Sequence, residues 1–415
     1  MKTLLLVSVL ILLFGAVSER LKRTALTPPM VFVALGLAVG AGLFGSFGSY
    51  DGFELTRLLS ELTLIIVLFT DASRIRFREL KEGYELPLRL LGVAMPLSVV
   101  AGAVLAIVLF PELSIWSACV LAAILVPTDA ALGQAVVASK SVPLKIRQAL
   151  NVESGLNDGL ALPFVLVFAA LANMHAEPIA VWLWFVAKQL TLGPLVGVVT
   201  GFGGGRLVVW CVERRWMERS FEQLSALALA FLAFLLADLV GGNGFIAAFV
   251  AGLTVGNTAG RVGPVLQEFA ETEGQLLSLL TFLCFGAHLA WPLLAEVTGT
   301  MVLYGVLSLT LVRMVPVSLS LVGSKLKLFT HVFMGWFGPR GLASILFAFL
   351  VLEEGVPGRD HILLVVVITV LMSVYAHGVT AWPASKAYAR VCETKRHETM
   401  EEFMPVAELP TRLSL

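Results

Sequence analysis

Four polar residues stand within two helical turns of one another in residues 151–163, which read NVESGLNDGLALP. They are Glu153, Ser154, Asn157 and Asp158. Helical spacing places Ser154 and Asp158 on one stripe and Glu153 and Asn157 on the neighbouring stripe. Asp158 and Ser154 therefore offer oxygen atoms toward one point. Oxygen ligands suit hard cations, and burial favours the protonated form of a carboxylate, so Asp158 can take up either a cation or a proton.

Other charged residues also interrupt long apolar runs. They are Asp71, Asp129, Arg313 and Arg340. Each such charge costs about 2.5–3.5 kcal/mol at the centre of a bilayer, so these residues must pair with one another or face water. We predict that Arg313 pairs with Glu153, because an Arg–carboxylate pair holds both charges at the lowest cost in free energy.

The composition is that of a helical membrane protein. Of the 415 residues, 58 % are hydrophobic and 14 % are charged, whereas a soluble domain has about 25 % charged residues. Apolar runs of about 20 residues recur throughout, and each can cross a bilayer as a helix. Lys and Arg total 29, as do Asp and Glu, and this balance does not indicate nucleic-acid binding. The cysteines and histidines form no catalytic or metal-binding motif, so we expect neither an enzyme nor a bound cofactor.

We predict an all-α polytopic protein with about thirteen transmembrane helices. Basic residues concentrate in every second loop, at Arg20, Lys22, Arg23, Arg74, Arg76, Arg78, Lys81, Lys140, Lys145, Arg147, Arg214, Arg215, Arg219, Arg261, Lys325, Lys327, Arg390, Lys395 and Arg396. The opposite loops contain one basic residue, Arg359. The positive-inside rule then predicts a multi-pass protein of the cell (plasma or inner) membrane, with the N-terminus outside and the C-terminus in the cytoplasm. The first apolar stretch could also be a signal peptide, but cleavage near Ser18 would leave basic residues outside, so we expect it to be retained.

Thirteen spans favour six, one and six, with the two sets of six related as inverted repeats. The transmembrane domain then covers residues 1–390, with repeats at about 1–172 and 220–390. A linking span lies at about 178–210, and residues 391–415 form a short cytoplasmic tail.

Spans 5 and 12, seven apart, both contain helix-breaking residues in mid-span, in LVPTDAALG and WFGPRGLAS. Pro127 and Pro339 each remove a backbone donor, so we predict two broken helices that cross. Half-helix N-termini carry partial positive charge, which Asp129 can neutralise, and C-termini carry partial negative charge, which Arg340 can neutralise. Unwound backbone at Thr128 would free carbonyl oxygens for a small cation.

A single carboxylate that holds a cation or a proton, never both, can exchange one for the other. Because Asn157 and not a second Asp precedes Asp158, the simplest cycle moves one charge each way. A passive cation channel is an alternative, although a channel favours repeated pore-lining rings. An enzyme with a carboxylate dyad of Asp129 and Asp158 is a further alternative, without a nucleophile or metal set to support it.

Three sequence motifs resemble those of the monovalent cation/proton antiporters, in the NhaP-type and sodium/hydrogen-exchanger branch. ESGLND at 153–158 resembles the Glu-Ser-x-x-Asn-Asp motif, and GPRGLAS at 338–344 resembles the Gly-x-Arg-Gly motif. PTDA at 127–130 is similar to the Thr-Asp-Pro motif, with Ala130 in place of the proline. The break in span 5 would then depend on Pro127.

This resemblance implies a dimer interface domain, a mobile core domain and exchange of Na⁺ or Li⁺ for H⁺ by alternating access. Potassium/proton antiport is the alternative, because the family also contains potassium-handling members. The expected partners are the lipid bilayer, monovalent cations, protons and a second copy of the chain, with no nucleic acid. The implied cation and proton site is Asp158, Asp129, Ser154 and Thr128, with Asn157 beside a structural Glu153–Arg313 pair.

Three weaker candidates remain. Asp71 either gates a cytoplasmic funnel or ends its helix in solvent, and we expect the latter. Glu271, near the start of span 10, either concentrates cations or belongs to a solvated helix start, and we again expect the latter. His377 has no partner that the sequence reveals, so we expect it to pack among apolar side chains.

Overall fold

The structure is a computed structural model that describes residues 2–21, 24–42, 51–77, 84–173, 179–260, 263–394 and 401–404. Every regular element in these ranges is helical, which confirms the all-α prediction. Residues 395–400 and 405–415 of the predicted tail lie outside the described residues, as do Lys22, Arg23, Arg78, Lys81, Arg261, Lys395 and Arg396 of the predicted inner loops.

The helices in chain order are α1 (Lys2–Leu21), α2 (Pro28–Gly40), α3 (Asp51–Ser73), α4 (Glu85–Leu109), α5 (Ile115–Ile124), α6 (Ala130–Val137), α7 (Leu144–Ala172), α8 (Ile179–Glu213), α9 (Arg219–Leu239), α10 (Gly244–Thr258), α11 (Gly263–Cys284), α12 (Gly299–Ser320), α13 (Leu328–Trp336), α14 (Leu342–Glu353) and α15 (Arg359–Thr394). A π-helical turn, Phe285–Ala290, continues α11. In the described ranges, seven helices are long and apolar enough to cross a membrane, and four shorter apolar helices accompany them. The exact number of crossings stays a prediction.

The helices form two groups that meet at α3. In the first group, α10 packs against α3, α8 and α9, and α11 packs against α2, α3 and α9. Close approach of α10 to α3 requires glycine: a Cβ on Gly252 would lie 2.1 Å from the Phe69 carbonyl oxygen, and one on Gly256 would lie 2.0 Å from that of Ser73. In the second group, α7 packs against α5 and α6, and α15 packs against α12 and α14. This packing does not test the predicted repeat boundaries at about 1–172 and 220–390, which stay a prediction.

Two helices of the second group are interrupted where the prolines stand. Residues 125–129 separate α5 from α6, and residues 337–341 separate α13 from α14. Pro127 and Pro339 lie inside these segments. The predicted broken spans 5 and 12 are therefore confirmed, and Ala130 is the first helical residue after the first break.

A short turn after α15 returns to the second group. Glu402 in the turn Glu401–Phe403 is fully buried. Its Oε1 accepts hydrogen bonds from the Lys327 N–H and the Thr330 hydroxyl, both at 2.9 Å. Glu401 forms an ion pair with Lys145 at the start of α7. This part of the predicted tail thus caps the N-terminal end of α13.

Candidate functional site

The two breaks lie side by side in the interior. The Asp129 N–H donates to the Pro339 carbonyl at 2.7 Å, and the Ser344 hydroxyl donates to the Ile124 carbonyl at 2.8 Å. Four half-helix ends therefore meet here, each with backbone groups that have no partner within its own helix.

Asp129 caps two helix N-termini at once. One carboxylate oxygen accepts from the Ala131 N–H at 2.7 Å in α6, and the other accepts from the Leu342 N–H at 2.9 Å in α14. A Cβ on Gly341 would lie 2.0 Å from this second oxygen, so only glycine allows the approach. Both ends carry partial positive charge, which the single carboxylate offsets.

Arg340 serves the opposite ends. Its Nη1 donates to the carbonyl oxygens of Val126 and Pro127, the latter at 3.2 Å. The residue is 1 % exposed, and its backbone N–H donates to the Ser373 hydroxyl at 2.6 Å. The positive guanidinium thus meets carbonyl groups that the break in span 5 leaves without helical partners.

Thr128 connects the first break to α7. Its hydroxyl lies 3.1 Å from the Ser154 hydroxyl and accepts a hydrogen bond from the Asn157 amide at 2.5 Å. Thr128, Asn157 and Asp158 are buried, with Asp158 one helical turn beyond Ser154. The sequence predicts a role for the backbone carbonyls at Thr128, and the structure shows its hydroxyl in contact with Asn157 and Ser154. The structure thus brings Thr128, Ser154 and Asn157 together, and the roles of the predicted site residues stay predictions.

The Glu153–Arg313 ion pair is present between α7 and α12. Arg313 Nη1 lies 2.5 Å from Glu153 Oε1, and each side chain is 3 % exposed. Within the described residues, no group of three or more His, Cys, Asp or Glu side chains could hold a metal ion. The cation ligands Asp158, Asp129, Ser154 and Thr128 stay a prediction.

Asp71 corrects one expectation. It is buried, not a solvated helix end, and it lines a cavity of about 30 Å³ together with Arg74, Gln134 and Glu271. A Cβ on Gly155 of α7 would lie 3.7 Å from the Asp71 Cβ, so this part of α3 faces the turn between Ser154 and Asp158. The sequence could not reveal this contact, because it depends on how distant helices pack.

Glu271 was also predicted wrongly. Its side chain is 9 % exposed and pairs with Arg74 at 2.9 Å, so it does not belong to a solvated helix start. His377 is buried as expected, but its ring nitrogens contact Ser373 and the Trp336 carbonyl. The contact with Trp336 joins residues far apart in the sequence.

The cavities lie toward the end of α3 that carries Arg74. A larger cavity of about 330 Å³ shares Gln134 and Ser278 with the smaller one. At the opposite end of α3, Phe53 packs edge-on against Phe349 of α14, with ring centroids 5.0 Å apart. Arg57 and Glu353 form an ion pair there at 2.5 Å. Both cavities are lined by α6 and α11, and they lie on the side that the basic loops predict to be cytoplasmic.

Comparison with known proteins identifies the family. The sodium/hydrogen exchanger (transmembrane) family matches residues 6–387 of this sequence. The chain belongs to the sodium/hydrogen exchanger family. This confirms the resemblance on which the sequence analysis relied, and the family is one of transporters.

The names of similar proteins specify different cations. A K(+)/H(+) antiporter NhaP of Alkalimonas amylolytica is 28 % identical over 92 % of this chain and 66 % of its own length. A K(+)/H(+) antiporter NhaP2 of Shewanella sp. (strain ANA-3) is 27 % identical over 90 % of this chain and 64 % of its own length. A Na(+)/H(+) antiporter NhaG of Bacillus atrophaeus is 26 % identical over 86 % of this chain and 69 % of its own length. The chain thus spans slightly less than two thirds of the length of the first two relatives.

A solved structure shares the fold of this chain. The sodium proton antiporter MjNhaP1 from Methanocaldococcus jannaschii superposes with a TM-score of 0.76 at 19 % identity, over 91 % of this chain and all of that one. At this identity the likeness shows the fold alone.

Proposed function

We propose that this chain exchanges a monovalent alkali cation for a proton across a membrane, with Asp158 as the carboxylate that holds either one. The observation that carries the proposal is the contact of Thr128 with Ser154 at the crossing of two broken helices, with the buried Asp158 one helical turn beyond Ser154. Buried hydroxyl and carboxylate oxygens replace the water ligands of a hard cation. The same burial favours a protonated carboxylate when the cation leaves.

The surrounding charges support one titrating group at this site. Asp129 already receives backbone N–H groups on both oxygens, so its charge is balanced by two helix ends whether or not a cation is bound. Glu153 is balanced by Arg313. Asn157 is neutral and donates to Thr128. When Asp158 alternates between a cation and a proton, one cation replaces one proton and the exchange is electroneutral.

Alternating access follows from the contacts of α3. The ion pair and the ring contact that join α3 to α14 close one side, and the cavity beside Asp71 leaves space on the other. Movement of the second helix group past α3 would open the side that the α3–α14 contacts close, and it would close the side that holds the cavity. We propose a core that moves only when Asp158 holds a cation or a proton, in a dimer with the N-terminus outside and the C-terminus in the cytoplasm.

Sodium, or lithium, is the cation we propose first, on the family motifs and on the name of the Bacillus relative. Potassium is the second candidate, because the relatives from Alkalimonas and Shewanella are named as potassium/proton antiporters. A passive cation channel is a third and requires no proton movement in return.

Inverted membrane vesicles from an antiporter-deficient host test the proposal. The vesicles are acidified, a pH-sensitive dye is followed, and sodium, lithium or potassium is added to the parent, to Asp158→Asn and to Asp360→Asn. Asp360 is an exposed carboxylate at the start of α15 and serves as the matched control. We expect cation-dependent alkalinisation in the parent and in Asp360→Asn, and none in Asp158→Asn. An Asp158→Asn variant as active as the parent would contradict the proposal.

A further inference from the structure

A polar pair on α15 is buried beside the second break, and the proposed exchange gives it no role. His377 is 1 % exposed and Ser373, one helical turn earlier, is fully buried. Polar groups in such surroundings are retained with hydrogen-bond partners, because an unpartnered buried group is strongly unfavourable. Their partners lie on the two sides of the break between α13 and α14.

His377 holds the first side. Its Nε2 lies 2.9 Å from the carbonyl oxygen of Trp336, the last residue of α13. A carbonyl oxygen only accepts, so this contact is a hydrogen bond when Nε2 carries a proton. This bond satisfies a carbonyl at the C-terminal end of a half-helix, where partial negative charge collects.

Ser373 holds the second side. Its hydroxyl oxygen accepts from the Arg340 N–H at 2.6 Å, and it lies 3.1 Å from His377 Nδ1. His377 Nδ1 also lies 3.0 Å from the Ser373 carbonyl oxygen, so both the hydroxyl and the backbone of Ser373 contact the imidazole. The contacts therefore link Arg340 to Ser373, Ser373 to His377, and His377 to Trp336.

This chain of bonds ends at the atoms around Thr128. The backbone of Arg340 that Ser373 holds carries the guanidinium that donates to the Val126 and Pro127 carbonyls. Pro339, next to it, accepts from the Asp129 N–H at 2.7 Å. A shift of Arg340 therefore moves the unwound segment that carries Thr128.

We propose that Ser373 and His377 are positioning residues of the cation site, which hold both ends of the break in span 12 and, through Arg340, fix the oxygen atoms around Thr128. The inference rests on the proposed function. Loss of partners that orient cation ligands lowers affinity about 10- to 100-fold. We expect an increase of this size in the KM for the cation, while the maximal rate stays within about twofold because no group that carries the cation or proton is removed.

The test compares variants of α15 in proteoliposomes made from the full chain. Ser373→Ala and His377→Leu remove the bonds, whereas Ser373→Thr keeps the hydroxyl and His377→Gln keeps a donor near the Nε2 position. Thr369→Val is the matched control, because Thr369 is a fully buried hydroxyl one turn before Ser373 that bonds only within its own helix, to Val365. Each variant is assayed for KM, maximal rate and thermal unfolding of the purified protein.

We expect a raised KM in Ser373→Ala and His377→Leu, substantial recovery in Ser373→Thr and His377→Gln, and a parental KM in Thr369→Val. Should His377→Leu fail to fold, Ser373→Ala, which deletes a single hydroxyl, decides the matter. A parental KM in folded Ser373→Ala overturns the inference, as does an equal rise in Thr369→Val. A parent that moves no protons in response to cations overturns the proposed function itself and is distinguished by that result.

Discussion

Removal of one charge from the Glu153–Arg313 pair should destabilise the protein severely. Both side chains are 3 % exposed and their closest atoms are 2.5 Å apart. Two unit charges about 4 Å apart attract by about 4 kcal/mol at an effective dielectric constant of about 20. Loss of one partner leaves the other buried and uncompensated, which costs about 3–5 kcal/mol. Glu153→Leu and Arg313→Met should each lower the free energy of unfolding by this amount.

The double variant Glu153→Leu/Arg313→Met separates this explanation from simple misfolding. It removes both charges and restores apolar volume, and replacement of a buried pair in this way is often close to neutral. We expect it to be more stable than either single variant, so that the double-mutant cycle shows strong coupling. Arg57→Gln is the control, since the Arg57–Glu353 pair is 37 % and 48 % exposed and such pairs contribute about 0–1 kcal/mol.

The assay is unfolding of the purified protein in mixed micelles, followed by circular dichroism as denaturing detergent is added. Losses below about 1 kcal/mol in both single variants, the size expected of an exposed pair, would refute the reasoning. Additive losses in the double variant would refute it as well, because independent sites show no coupling.

Three further predictions concern the helix ends. Gly341→Ala should abolish cation-dependent proton movement in vesicles, because its Cβ would lie 2.0 Å from the Asp129 carboxylate oxygen that caps α14. Ala130→Pro should leave transport intact and raise stability by about 0.4–1 kcal/mol, since position 130 is the first of its helix and Asp129 has the extended ψ of 117° that precedes proline. Glu402→Ala should lower the free energy of unfolding by about 1–3 kcal/mol, because two donors at the start of α13 lose their shared acceptor.

Two of these predictions have a matched control. Gly203→Ala lies in α8 with open space around the added Cβ, so it should leave transport unchanged. Glu393→Ala removes an exposed carboxylate near the end of α15 and should leave stability unchanged. Transport in Gly341→Ala at the parental rate, a loss of stability above about 1 kcal/mol in Ala130→Pro, or equal stability of the Glu402→Ala and Glu393→Ala variants would contradict the respective argument.

Features set by local sequence were predicted well. The two breaks follow from prolines inside apolar runs, and the proximity of Ser154 to Asp158 follows from helical spacing. The Glu153–Arg313 contact was predictable for a different reason. Charged residues inside apolar runs are rare and must pair with one another, so each has few possible partners.

Contacts between helices distant in the chain were not predictable in the same way. The sequence around Asp71 predicts a helix end next to basic residues. Only the packing of α3 against α7 shows that Asp71 is buried. The same holds for His377, whose partner Trp336 lies 41 positions away in the sequence. The turn at Glu402 was missed because a short charged segment has no apolar periodicity that would mark its contact with α13.

The central claim is that one carboxylate, Asp158, holds a proton or a cation but not both. It is tested most directly by proton release from the purified protein in weakly buffered detergent solution, measured with a pH indicator as sodium, lithium or potassium is added. The account predicts release that saturates with the cation, at no more than about one proton per chain, and none from Asp158→Asn. Saturable cation binding without proton release, or undiminished release from Asp158→Asn, would contradict it.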